Sequence, residues 1–121
     1  MNNMFHGLII EDNESTLNTI QNALSRLGWR ASSASSAEAG IEELKQKHYD
    51  AVFTALCVRE QGGRSIARWI KTQELPVKVF IITSWKGELE PHLLQIDGIH
   101  DIIHKPLIFT EIRDKVLEHF G

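Results

Sequence analysis

The sequence predicts an α/β fold, a doubly wound parallel sheet with helices on both faces, in one domain spanning residues 1–121. Nearly continuous apolar runs at 7–10, 50–55 and 77–83 are typical of strands that are buried on both faces of a parallel sheet. Helix-like segments separate these runs, and strands that alternate with helices favour parallel pairing. The length of 121 residues suits a single compact domain.

The predicted strands are five short apolar segments. They cover residues 7–10, 29–34, 50–55, 77–83 and 98–103, and the second is the weakest of them. In a sheet of this kind, the carboxyl ends of the strands lie at one edge, where ligands usually bind. The residues that follow each strand are therefore the first candidates for a functional site.

The predicted helices fill the intervals between the strands, at 15–28, 35–48, 63–73, 87–96 and 110–120. Gly28 stands where a helix commonly ends in a left-handed residue. Ser35 and Glu38 have the spacing of a capping box at the start of the second helix. Thr110 is the predicted N-cap of the last helix.

Composition excludes several classes of protein. The net charge of -3 and the scattered lysines and arginines argue against direct nucleic-acid binding. The single cysteine, Cys57, excludes an internal disulfide and a cysteine-based zinc site. Because no signal peptide and no apolar run of about 20 residues is present, we expect a soluble, cytoplasmic protein that does not bind a membrane.

Charged and hydroxyl groups stand at the ends of three of the predicted strands. Glu11 and Asp12 follow the first, Thr83 ends the fourth, and Lys105 follows the fifth, whereas the third ends at Ala55. Paired carboxylates suit Mg²⁺, and a hydroxyl with an ammonium group can donate to phosphoryl oxygens. The combination indicates phosphoryl transfer, yet the nucleophile is missing at the position where an aspartate is expected.

These residues resemble the receiver domain of bacterial two-component response regulators, over roughly residues 6 to 120. The likeness is carried by four stretches, "LIIEDNESTL", "YDAVFTALCVREQGG", "VFIITSWKG" and "GIHDIIHKPL". It implies a flavodoxin-like (βα)5 fold of the CheY-like type, with five parallel strands in the order 2-1-3-4-5. It also implies a role in phosphorelay signalling, as a signalling module and not as an independent enzyme.

The resemblance implies a role for each residue at the strand ends. Glu11, Asp12 and the backbone carbonyl of Cys57 would bind Mg²⁺. Thr83 would hydrogen-bond the phosphoryl group, and Lys105 would pair with its oxygens. Further along, Pro106 would set the following loop, often through a cis peptide in this family, and Ile102 stands where the family often has an inward-turning Tyr or Phe.

Ala55 occupies the position of the phosphoacceptor aspartate, so this chain is expected not to be phosphorylated there and to bind Mg²⁺ weakly. Asp50 and Thr54 are poor substitutes, since Asp50 opens the strand and Thr54 points to the other face. Two explanations stay open: an engineered Asp→Ala change, or a natural pseudo-receiver that acts as a phosphate-independent interaction module. The retained charges favour the engineered change, because clustered charges cost stability when their purpose is lost.

The resemblance also predicts partners. A histidine kinase or a phosphotransfer protein would act on the intact form, and residues 88–97, 98–103 and 110–120 would form a surface for a homodimer or an output partner. Trp85 would cover the pocket, contact a partner or simply pack. A flavin-binding domain is the weaker alternative, because the acids of "EDNEST" would repel a phosphate without a metal. The cognate kinase, the output, and whether the chain is complete or a fragment stay open.

Overall fold

A computed structural model describes residues 4–55, 57–58, 61–84 and 98–120. Five strands form one parallel sheet, and a short antiparallel ribbon of two strands lies outside it. The elements, in chain order, are β1 His6–Ile10, α1 Glu14–Arg26, β2 Arg30–Ala34, α2 Ala37–Gln46, β3 Ala51–Ala55, β4 Cys57–Val58, β5 Gln61–Gly62, α3 Gly63–Thr72, β6 Lys78–Thr83, β7 Asp101–His104 and α4 Phe109–Phe120.

The strand order of the main sheet is β2-β1-β3-β6-β7. Since β6 and β7 are its fourth and fifth strands, the predicted order 2-1-3-4-5 is confirmed. The ribbon of β4 and β5 was not predicted, because strands of two residues carry no hydrophobic period. The helix predicted over 87–96 and Trp85 lie outside the described residues.

Two groups of apolar side chains cover the two faces of the sheet. One group lies under α2 and α3 and includes Leu8, Val52 and Ile81. The other lies under α1 and α4 and is rich in aromatic rings, with Phe53 stacked on Phe80 at 4.9 Å between ring centroids. The alternation of neighbouring residues between the two faces explains why the central strands are almost wholly apolar. None of the helices in the described part of the chain is long and apolar enough to cross a membrane.

Local capping residues confirm one prediction and correct another. Gly28 follows the last turn of α1 with φ +82°, as expected for the residue that ends a helix. The N-cap of α2 is Ser36, whose side chain accepts a hydrogen bond from the backbone N–H of Ala39. The predicted capping box from Ser35 to Glu38 is therefore wrong, because the N-cap is one residue later and the residue three positions after it is Ala39, which cannot complete a box.

Two other predicted boundaries are also wrong. The last helix begins at Phe109, so Thr110 lies inside its first turn and is not the N-cap. The fifth strand begins at Asp101 and not at residue 98. Gly98 adopts φ +80°, a left-handed turn conformation that delays the start of the strand.

Gly40 allows α2 to lie close to the end of β1. A Cβ atom at this position would lie 2.3 Å from Cδ1 of Ile10, much nearer than van der Waals contact. Only a residue without a side chain permits this approach. The close packing fixes the last residue of β1 immediately before Glu11.

Candidate functional site

The strand register brings the predicted site positions to one edge of the sheet. Ala55 pairs with Ile82, and Ile82 pairs in turn with Ile103. The backbone N–H of Lys105 donates to the carbonyl oxygen of Thr83 at 2.9 Å. The carboxyl ends of β1, β3, β6 and β7 are therefore adjacent, as a doubly wound sheet requires.

Glu11 is the buried acid of this edge. The residue is only 5% exposed, and its backbone N–H donates to the carbonyl oxygen of Ala34 at 3.0 Å. Oε1 accepts a hydrogen bond from the backbone N–H of Asn13 at 3.0 Å. Oε2 is buried and has no hydrogen-bond partner among the described residues. A buried carboxylate oxygen without a donor is costly, and a bound cation would remove that cost.

Asn13 is a positioning residue that sequence reasoning missed. Its side chain caps α1 by accepting a hydrogen bond from the backbone N–H of Thr16 at 2.9 Å. Because its own N–H binds Glu11, it joins the acid to the start of α1. The signal was present in the sequence, since asparagine just before a helical segment is a preferred N-cap.

The other charged groups of the edge stay apart. Asp12 is exposed, and Lys105 is partly exposed. Over the ranges that the structure describes, neither side chain makes an ion pair. The structure therefore aligns the backbones of these positions and does not join the Lys105 ammonium group to Glu11 or Asp12.

Ala55 is partly buried and packs against the apolar group under α2 and α3. Thr83 is buried. Ile102 is also buried and belongs to the apolar group under α2 and α3. Thr54 is fully buried, and its hydroxyl donates to the carbonyl oxygen of Ala55 at 3.3 Å. Among these four residues, none offers a carboxylate at the end of β3.

Asp50 lies at the opposite edge of the sheet, as predicted. One of its carboxylate oxygens accepts a hydrogen bond from the backbone N–H of His6 at 2.8 Å. The other lies 3.3 Å from Nε2 of His48. Both oxygens of this carboxylate are engaged at the start of β1 and β3, so Asp50 does not replace the missing acid.

The loop after β7 borders the site. The peptide bond between Lys105 and Pro106 is cis, the form that the resemblance implies. A cavity of about 180 Å³ lies between this loop and the start of α1. Lys105 and the hydroxyl residues Ser15, Thr16 and Thr19 line it, so donor groups surround the approach to the lysine.

The donor set favours a hard cation with few protein ligands. Glu11 and Asp12 supply the carboxylate oxygens, and Cys57 begins β4 two residues after Ala55. No group of three or more histidine, cysteine, aspartate or glutamate side chains capable of holding a metal occurs in the described ranges. Two carboxylates with water are compatible with Mg²⁺, which keeps several of its waters when bound.

Two acids, a threonine and a lysine thus lie at the carboxyl edge of an open, doubly wound sheet. The model of the response regulator receiver domain matches residues 8–117, so the chain belongs to the receiver domain family of two-component signalling. A receiver domain is a signalling module. Comparison with curated proteins gives no significant match.

Solved structures of receiver domains share this fold. The chemotaxis response regulator CheY4 of Vibrio cholerae superposes with a TM-score of 0.87 at 12% identity, over 95% of this chain and 98% of that one. A CheY-like receiver domain from Methylobacillus flagellatus has a TM-score of 0.85 at 19% identity, covering 98% and 99% of the two chains.

A third structure is the receiver domain of the sensor histidine kinase PA1611 from Pseudomonas aeruginosa PAO1. It has a TM-score of 0.83 at 21% identity, over 95% of this chain and 96% of that chain. That protein was solved with a magnesium ion coordinated in its active-site cleft. At these identities, the three likenesses establish the fold of the present chain.

Proposed function

We propose that this chain is a receiver domain in which Ala55 stands at the phosphoacceptor position, so that it binds its signalling partners without accepting a phosphoryl group. The observation that carries this proposal is the end of β3. The strand ends on a methyl group between the strand ends that supply Glu11, Thr83 and Lys105. An alanine has no atom that can attack phosphorus.

The proposed metal ligands are Glu11, Asp12 and the backbone carbonyl of Cys57. The unpartnered Oε2 of Glu11 supports this assignment, because it is a buried acceptor that a cation would satisfy. When bound, Mg²⁺ would neutralise negative charge on phosphoryl oxygens. With one carboxylate fewer than an aspartate at position 55 would supply, the affinity for Mg²⁺ is expected to be low.

Thr83 and Lys105 are the proposed phosphoryl-binding groups, and Ile102 is the proposed switch position. The Lys105 backbone is fixed to Thr83, while its ammonium group makes no ion pair within the described residues and can reach an incoming anion. Ile102 is already buried and aliphatic, so no aromatic ring is available there to turn inward.

The retained charges favour a single Asp→Ala replacement in an otherwise competent site. Among the residues that the structure describes, one buried carboxylate oxygen of Glu11 has no partner, which costs free energy unless a ligand uses it. A site that had lost its purpose would be under no constraint to keep this cost. The second candidate, a natural phosphate-independent interaction module, is favoured by the aliphatic Ile102 at the switch position.

The proposed partners are a histidine kinase or a phosphotransfer protein, with a homodimer or output partner on the surface formed by residues 88–120. Within that range, Leu117 of α4 is half exposed. An exposed leucine on the last helix provides apolar area for such a contact. Residues 88–97 lie outside the described part of the chain.

The test compares the unchanged chain with two variants, Ala55→Asp and Ala55→Asn. Asparagine has the same shape as aspartate but no nucleophilic carboxylate oxygen. Each is incubated with acetyl phosphate and Mg²⁺, and its intact mass is measured. In Ala55→Asp, a carboxylate oxygen would attack phosphorus, the bond to acetate would break, and acetate would leave. We expect one added phosphoryl group in Ala55→Asp alone, and none when Mg²⁺ is chelated.

Two outcomes would contradict the proposal. Phosphorylation of the unchanged chain would show that a residue other than position 55 is the acceptor. Absence of phosphorylation in all three forms would favour the phosphate-independent module, since restoring the aspartate would then not restore the chemistry.

A further inference from the structure

The imidazole of His100 completes the hydrogen bonding between β6 and β7. The backbone N–H of His100 donates to the carbonyl oxygen of Val79 at 2.8 Å. In return, the backbone N–H of Val79 donates to Nδ1 of His100 at 3.0 Å. A parallel sheet ordinarily supplies a main-chain carbonyl for such an N–H. Here the chain turns at Gly98, and a side-chain nitrogen is the acceptor.

This contact requires a neutral imidazole. Nδ1 accepts only when it carries no proton, so the ring proton lies on Nε2. Val79 is fully buried, and its N–H has no access to water. If His100 became protonated in place, two N–H donors would face each other and the Val79 N–H would lose its acceptor, which is unfavourable for a buried backbone group.

The nearest charged groups oppose protonation of His100. His100 is exposed as a whole residue, but the partial burial of its ring lowers its pKa, and the neighbouring His119 and Lys78 lower that pKa further. The rings of His100 and His119 are nearly perpendicular, with 6.4 Å between their centroids. Lys78 donates from Nζ to the carbonyl oxygen of His119 at 2.7 Å, which holds its positive charge beside the pair.

The remaining charges around His100 come from three elements. Asp101 of β7 is engaged by Lys115 and His119 of α4, so its negative charge is already balanced. A groove of about 590 Å³ is lined by His100, by Lys71 near the end of α3 and by Glu74 just after that helix. No described carboxylate lies within ion-pair distance of the His100 ring.

We propose that His100 is a pH-sensitive contact that holds the start of β7 against β6 when its imidazole is neutral and releases it when the imidazole is protonated. The strand that it holds carries Ile102 and leads directly to Lys105. Acidification would therefore loosen the strand that carries the proposed switch position. This release does not depend on whether position 55 can be phosphorylated.

The direction of the pH effect follows from proton binding. In the closed form the pKa of His100 lies below 6.5, its ordinary value, to which it returns when the contact opens. The open form therefore binds more protons. The contact is at full strength above pH 6.5 and weakens as the pH falls through 6.5 towards the lower pKa of the closed form.

The experiment is amide hydrogen exchange at Val79, followed by NMR from about pH 7.5 to about pH 5, a range that brackets an ordinary histidine pKa. After correction for intrinsic exchange, we expect the opening constant to rise about tenfold per pH unit between the two pKa values of His100. In His100→Asn, Oδ1 can accept the same hydrogen bond and does not titrate. This variant should keep the protection of Val79 and lose that pH dependence.

His104→Asn is the matched control, since it removes another exposed histidine, at the end of β7, and should leave the pH dependence unchanged. Burial also lowers the pKa of His6, so a fall in global stability on acidification would not by itself identify His100. An unchanged pH dependence in His100→Asn would overturn the proposal.

A second measurement needs no variant. A ¹⁵N NMR titration of the imidazole of the unchanged chain should show Nδ1 without a proton at neutral pH and a pKa below 6.5 for His100. A protonated Nδ1 at neutral pH, or a pKa at or above 6.5, would overturn the proposal even if the Asn variant failed to fold.

Discussion

The carboxylates at the two ends of the parallel sheet differ in how many of their oxygens have hydrogen-bond partners. At the amino end of β7, Asp101 accepts hydrogen bonds from Lys115 at 2.9 Å and from the backbone N–H of Ile102 at 2.8 Å, and its other oxygen lies 3.0 Å from Nε2 of His119. At the carboxyl end of β1, Glu11 keeps one buried oxygen without a partner in the described part of the chain.

This difference separates a structural carboxylate from one available to a ligand. The acid at the amino end is satisfied by the protein itself and stabilises the fold. The acid at the carboxyl end is held in place through one oxygen, and its second oxygen has no partner among the described residues, which leaves it as an acceptor for the proposed cation. The unpartnered oxygen therefore supports the proposed metal site independently of the sequence motifs.

The largest expected effect on stability is at Asp101, the carboxylate whose two oxygens both have partners. Asp101→Asn should lower the free energy of unfolding by about 2 kcal/mol, because it removes the charge that pairs with the partly buried Lys115 ammonium group and weakens the contact with Nε2 of His119. The Asp101 side chain is only 19% exposed, so solvent does not replace these interactions fully. Urea unfolding at neutral pH measures the change. A loss of unfolding free energy below about 0.5 kcal/mol, typical of a surface site, would contradict the difference drawn between Asp101 and Glu11.

The isosteric replacement of Glu11, at the carboxyl end of the sheet, should change the free energy of unfolding in the opposite direction. Glu11→Gln keeps the acceptor for Asn13 and removes a buried charge, so in the absence of Mg²⁺ it should raise the free energy of unfolding by about 1 kcal/mol. Any rise in melting temperature on adding Mg²⁺ should disappear in this variant. If Glu11→Gln destabilised the protein as much as Asp101→Asn, Glu11 would be a structural acid as well.

The pH dependence of stability gives a second test of the difference between Asp101 and Glu11. Burial alone would raise the pKa of Asp101, but the hydrogen bonds from Lys115, the Ile102 backbone and His119 together lower it below 3.8. The stability that it contributes is therefore present above pH 3.8 and is lost as the pH falls through the lower pKa of the folded form.

The expected result is that the unchanged chain and Asp101→Asn converge in stability at acidic pH. Parallel curves of unfolding free energy against pH for the two proteins would show that the lowered pKa does not stabilise the fold. Glu11→Gln serves as the second reference, because it changes an acid at the other edge of the sheet.

The smallest expected effect is at Asp12. This residue is exposed and makes no ion pair with any described residue, so Asp12→Asn should change the free energy of unfolding by less than about 0.5 kcal/mol without Mg²⁺. Calorimetric titration with Mg²⁺ should nevertheless show weaker binding in this variant. Unchanged binding would exclude Asp12 as a metal ligand.

The fold was predictable because its central strands have unambiguous sequences. The runs at 7–10, 50–55 and 77–83 agree with β1, β3 and β6 to within one residue, since burial on both faces leaves almost no polar position. The predicted start of β7 was three residues too early. Ile99 is buried although it precedes the strand, so hydrophobicity alone could not separate the turn at Gly98 from the ladder.

The sequence predicts which positions of the candidate site lie at the strand ends, but it does not predict the contacts that these residues make. The end of a strand is visible in the local pattern of apolar residues, and this pattern alone is enough to single out Glu11, Thr83 and Lys105. The network at the amino end joins Asp101 to residues 14 and 18 positions away, and it depends on the packing of α4 beside β7. The role of His100 depends equally on strand register, which a single sequence does not specify.

The glycine at position 40 has a consequence for ligand binding. It lets α2 pack on the side chain of Ile10, the residue before Glu11, and the backbone N–H of Glu11 donates to the carbonyl oxygen of Ala34. Because these contacts hold Glu11 before any ion binds, a cation at the proposed site would cost little chain entropy on binding. Its affinity would then depend more on the number of charges that face it than on the ordering of the loop that carries them.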